Sequence, residues 1–135
     1  MAIEPGLIGE LTHTVLEADT AAAYGSGLVP VLSTPHLIAL MESAAQAAIE
    51  PWLEEGNTAV GTRVDMRHLA ATPVGMQVRI RAELLEVDRR RLRFRVEAWD
   101  EEEKVGEAEH ERFIVDRSRF LAGVADKAGR GAHGD

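Results

Sequence analysis

The chain has no cysteine, which excludes disulfides, thiolate metal sites and a cysteine nucleophile. Aromatic residues are few, 4% of the total. No stretch approaches the roughly 20 consecutive apolar residues that cross a bilayer. The opening segment, MAIEPGLIGELTHTV, lacks a basic start and interrupts its apolar residues with Glu4 and Glu10, so it does not read as a secretory signal. Positive charge is also in deficit: 15 Lys and Arg face 23 Asp and Glu, a formal net charge of -8. Attraction to phosphate backbones or anionic lipid is therefore disfavoured. These absences lead to the expectation of a cytoplasmic protein with neither a nucleic-acid nor a membrane partner.

What is present suits one folded domain: 135 residues, 45% hydrophobic and 28% charged. Leu11, His13 and Val15 alternate with Thr12 and Thr14, as in a short strand. The stretch GSGLVPVLSTP, residues 25–35, has no helical period and reads as a loop that delivers the chain to a helix. From Pro35 to Glu50, Leu37, Leu40, Met41, Ala44, Ala45, Ala48 and Ile49 form one apolar stripe, with Thr34 as N-cap and Pro51 ending the helix. Ala44, Ala45, Ala47 and Ala48 make this helix thin on one side, so a sheet could approach its backbone closely.

Four strands are expected after the helix. The first, TAVGTRVDM, holds Gly61 at a bulge or a close approach. In MQVRIRAEL and RLRFRVEAW apolar and charged residues alternate. A three-residue loop of Asp88, Arg89 and Arg90 would set Arg81 opposite Glu97, Glu83 opposite Arg95 and Leu84 opposite Phe94. The last strand ends near Val115. An antiparallel sheet wrapped around one long central helix follows, an α+β class, in residues 1–116. Residues 117–135 drift to Gly, Ala and charge and are expected to be a partly disordered tail.

Glu42 lies at the border of the apolar stripe. It is either a flank glutamate reaching water or a half-sheltered carboxylate, whose pKa desolvation would raise toward the range of acid–base or nucleophilic work. Thr34 is explained as a helix cap, yet its hydroxyl would also stand at the positive end of the helix dipole. His68 precedes a Pro73–Gly75 turn and carries the side chain best suited to proton transfer near neutral pH. His110 shares a strand face with Ala108 and Ile114 and reads as a hydrogen-bonded core histidine. His13, His36 and His133 show no metal-ligand spacing. Arg79, Arg81, Arg89, Arg90, Arg91, Arg93 and Arg95 read mainly as outward residues paired with glutamates, with a surplus near Arg89 to Arg91 that could hold a phosphorylated ligand.

LSTPHLIALMESA, GTRVDMRHLAATPVG and GEAEHERFIV together resemble the hot-dog-fold thioesterases of the fluoroacetyl-CoA thioesterase type, over roughly residues 7–115. The most selective part is Gly61–Thr62, His68, Ala70–Ala71–Thr72–Pro73 and Gly75, with a Leu-Met-Glu on the helix. The resemblance implies hydrolysis of an acyl-CoA thioester by Thr34, Glu42 and His68, without a metal or redox cofactor. Gly61, Leu28 and Pro35 are the implied substrate- or oxyanion-contacting positions. It also implies a homodimer, or two dimers together as a tetramer. Fluoroacetyl-selective members carry an aromatic lid before the threonine, whereas this chain has Gly25 and Leu28 there with only Tyr24 nearby. A general short- or medium-chain acyl-CoA is accordingly the expected substrate.

Two rival readings exist. A hot-dog hydratase or dehydratase would carry an Asp in the loop before the helix, and GSGLVPVLSTPH has none. A noncatalytic acyl-CoA binder would use Thr34, Glu42 and His68 only to line a pocket.

Overall fold

The alternating segments assemble into one antiparallel sheet in the order β1-β3-β4-β5-β2. A computed structural model describes residues 3–133. The strands are β1 (Ile8–Thr14), β2 (Asn57–His68), β3 (Gln77–Asp88), β4 (Arg91–Trp99) and β5 (Lys104–Asp116). The central helix, α2, spans Thr34–Ile49 and is preceded by a four-residue helix, α1 (Ala21–Tyr24), which ends just before the segment expected to be loop. This is the hot-dog architecture, a curled sheet around a helix.

Burial of aliphatic side chains holds the two layers together. Leu37, Met41, Ala44, Ala45 and Ile49 from α2 lie against Ile80, Ala82, Leu84, Phe94, Val96 and Ala98, all fully buried. Each such side chain contributes on the order of 1.5–3 kcal/mol relative to exposure, with alanine below that range. The alanine side of α2 brings β1 very near. A Cβ on Gly9 would collide with the Ala44 carbonyl oxygen and stand 2.6 Å from Ala48 N. Only glycine fits there.

The β3–β4 register has the anticipated partners, Arg81↔Glu97, Glu83↔Arg95 and Leu84↔Phe94. The route to them differs. The turn has two residues, Arg89 and Arg90, with Arg89 at φ 60°, and a register shift between Leu84 and Glu86 supplies the residue that a three-residue loop would have supplied. A second shift lies in β2 against β5, between Gly61 and Arg63.

Two local readings are corrected. Ser33, not Thr34, is the N-cap of α2: its Oγ accepts from His36 N at 3.1 Å, so Thr34 is the first helical residue. Where composition suggests a fraying tail, the chain continues as helix α3 (Arg117–His133). The Asp116 carboxylate accepts from Arg119 N at 2.9 Å and starts it.

Candidate active site

The strap before α2 and the end of β2 converge on one pair of side chains. Thr34 Oγ1 lies 2.8 Å from His68 Nδ1. The fold positions both: α2 begins at Thr34, and β2 ends at His68. Beyond His68 the AATP stretch turns back to hold the strap, with Leu32 N donating to Thr72 O at 2.9 Å and Thr72 Oγ1 donating to Asp100 Oδ2 at 3.0 Å. Val31 bridges Pro73. The turn after the histidine therefore fixes the segment that leads into its hydroxyl partner.

His68 is half-buried, and its Nε2 is shielded from water without a hydrogen-bond partner. Burial pushes its pKa below the ordinary imidazole value, offset only in part by the backbone at Ala70. The ring is thus held neutral at neutral pH, a state able to accept a proton. A cleft of about 480 Å³ opens on the pair, lined by Thr34, His68, Val29, Val31, Leu69, Ala70 and others. This falls within the usual range for small-ligand sites, roughly 300–1,000 Å³.

Glu42 stands apart from them within one chain. It lies eight residues along α2 from Thr34, about 12 Å of helix axis, in a second cleft with Ala39, Ser43, Gln46 and Arg112. Its side chain is 40% exposed and faces Arg112, whose Nη1 is 3.4 Å from Glu42 Oε2. Gly61 is the neighbour on β2: a Cβ there would run into Glu42 Oε2 and lie 3.3 Å from Arg112 Nη1. Both alternatives posed for Gly61 hold at once, since it flanks the register shift and also accommodates a close approach. Leu28 is 97% exposed on the strap, and Pro35 is an exposed residue of the first turn of α2. Neither lines the cleft at His68.

Arg112 is the residue that sequence reasoning missed. It is 7% exposed, and its Nη2 donates to Ala59 O at 3.0 Å. His110 donates from Nδ1 to Arg63 O at 2.7 Å, which leaves Nε2 to accept from Arg112 Nη1 at 3.2 Å. Burial lowers the pKa of Arg112, and the neighbouring Glu42 opposes that shift. The signal was available: Arg112 falls on the same alternation as Ala108 and His110. Of the outward arginines, Arg81, Arg91, Arg93 and Arg95 pair with glutamates as anticipated, for example Arg93 with Glu86 at 3.1 Å and Arg95 with Glu83 at 3.2 Å. Arg91 pairs with Glu111 at 3.2 Å.

A family model for fluoroacetyl-CoA-specific thioesterase matches residues 15–118. A fluoroacetyl-CoA thioesterase of Streptantibioticus cattleyicolor is 40% identical over 101 residues, 75% of this chain and 73% of that protein. The chain belongs to this family. It is accordingly an acyl-CoA thioesterase, a thioester hydrolase.

Solved structures agree. The fluoroacetyl-CoA thioesterase FlK superposes with a TM-score of 0.89 at 32% identity, covering 94% of this chain and 98% of that one. A thioesterase superfamily member from Thermus thermophilus gives 0.90 at 30% identity, covering 97% of each. A mutant of FlK has been solved in complex with fluoroacetate and CoA. Among the described residues no helix is long and apolar enough to cross a membrane.

Proposed function

We propose that this chain hydrolyses the CoA thioester of a small acyl group, fluoroacetyl first among them, with Glu42 supplying the nucleophile and Thr34 and His68 handling protons. The observation that carries this reading is the 2.8 Å contact between Thr34 Oγ1 and His68 Nδ1 at the mouth of a cleft. A family shared with fluoroacetyl-CoA thioesterases supports a small acyl group over the broader short- or medium-chain range.

Glu42 attacks the acyl carbonyl or deprotonates the water that does. His68, neutral and sheltered, takes and returns a proton, with Thr34 fixing its ring. Backbone N–H groups near Gly61 and the entrance of α2 hold the oxyanion. General acid–base help of this kind is worth roughly 10²–10⁴-fold, and one oxyanion donor about 10²–10³-fold.

The separation of Glu42 from His68 within one chain supports a site completed by a second copy. Among the described residues β2 has β5 as its only neighbour in the sheet, which leaves its other edge open. Gly61 and His68 both lie on that strand. A homodimer paired along β2, alone or as a dimer of dimers, would bring two such edges together.

Thiol release from a panel of acyl-CoAs tests the reading. Fluoroacetyl- and acetyl-CoA should turn over faster than longer chains, and Glu42→Ala should abolish turnover while the variant still folds and binds CoA. Equal rates in that variant would remove Glu42 from the mechanism. Tight binding of every acyl-CoA without turnover would favour the noncatalytic binder. A monomer by light scattering at micromolar concentration would contradict the shared site.

A further inference from the structure

We propose that His13, Asp19 and His36 form a binding site for one divalent transition-metal ion, Zn(II) by the chemistry of its ligands, where β1 meets the first turn of α2. Spacing along the sequence gave no hint of it. His13 comes from β1, Asp19 from the 3-10 turn Glu17–Asp19, and His36 is the third residue of α2.

Their ligating atoms all lie within 4.8 Å of one another. His36 Nε2 is 3.3 Å from Asp19 Oδ1, and His13 Nε2 is 2.7 Å from Asp19 Oδ2. Two ligands held about 2.0–2.1 Å from a tetrahedral Zn(II) stand roughly 3.3 Å apart. The His36–Asp19 edge already has that spacing. The His13–Asp19 contact is a hydrogen bond that a metal ion would replace by a small outward turn of the imidazole.

A second observation sets this cluster apart from a buried ion pair. His36 Nε2 is shielded from water and makes no well-aligned hydrogen bond, although Asp19 Oδ1 lies 3.3 Å away. On the other side of the same ring, Nδ1 lies 2.8 Å from Tyr24 Oη. With Nδ1–H donating to the tyrosine, the Nε2 lone pair points into the cluster, the arrangement in which an outer partner orients a metal-binding imidazole.

The carboxylate is equally prepared. Asp19 is 5% exposed and also accepts from Leu16 N at 2.8 Å, so its oxygens are held in place. Two imidazoles and one carboxylate suit Zn(II) and leave a fourth position for water. The ion would clamp the strap: Ser33 N already donates to Asp19 O at 2.9 Å. This is a structural clamp, independent of which residues perform the hydrolysis.

The test uses tag-free full-length protein stripped with a chelator. Titration with Zn(II) by calorimetry should show one ion per chain, Co(II) should give a tetrahedral visible spectrum, and Zn(II) should raise Tm. Tyr24→Phe should weaken binding about 10–100-fold, as loss of an outer partner does, and His36→Ala should weaken it further. If His36→Ala fails to fold by circular dichroism, Tyr24→Phe and Asp19→Asn decide. No uptake by the wild type, or uptake unchanged in the folded variants, overturns the proposal.

Discussion

Arg112 reaches Glu42 from the sheet while gripping the backbone beneath it, with Nη1 3.4 Å from Glu42 Oε2 and Nη2 3.0 Å from Ala59 O. Replacing it by Met would strand a buried carbonyl and His110 Nε2, and would free the carboxylate to wander. Because Glu42 is 40% exposed, water limits the loss. A destabilisation of about 1–3 kcal/mol is expected, read from denaturant midpoints. kcat should fall more than KM rises. Arg112→Lys should not restore it, since one ammonium cannot reproduce the planar fork. A kcat equal to wild type would show that Glu42 needs no such anchor.

Two glycines should fail in opposite ways. At Gly61 a methyl group meets the movable end of the Glu42 side chain, so Gly61→Ala should keep its melting temperature within a few degrees and lose most activity. At Gly9 the obstruction is helix backbone. Gly9→Ala must push α2 off the sheet, at a cost of about 1–3 kcal/mol or more. Paired melts and initial rates separate the two.

The sheltered His68 makes a pH prediction. With its pKa lowered by burial, the acid limb of kcat/KM should fall below about pH 6.5, the ordinary imidazole value. The sign for stability follows. As pH drops through 6.5 the unfolded chain takes up the proton first, so this group's contribution is complete above that value and declines on acidification through the folded pKa. An acid limb above pH 6.5 would be incompatible with a neutral, buried His68 acting as base.

Adjacent hydroxyls should prove separable. Ser33→Ala removes the helix cap and should cost about 1 kcal/mol with modest kinetic change. Thr34→Ala removes the partner of His68 Nδ1. It should lower kcat by about 10²-fold or more at nearly unchanged stability, and Thr34→Ser should recover much of the rate. A reversed pattern would return Thr34 to a capping role.

Period-2 alternation made β3 and β4 readable, because each has one face in the core and the other in water. The same period exposed His110 as a core residue. It was less useful for α1, whose four residues are too short to show a helical repeat. Thr34 and Ser33 could not be told apart as caps, since both offer a hydroxyl and only the backbone angles decide. The cluster of His13, Asp19 and His36 was illegible for a different reason: its members lie on three elements, and no local spacing records their meeting.

The register shift in β2 has a consequence for parity. In an unbroken strand odd and even positions point to opposite sides, so residues 61 and 68 could never look the same way. Thr62, which has no opposite number on β5, absorbs the difference. Gly61 stands across from Arg112, and His68 across from Gly106, both even positions on β5. Drawing that threonine into the regular ladder would leave strand length and composition untouched, yet it would turn the imidazole to the outer surface of the sheet.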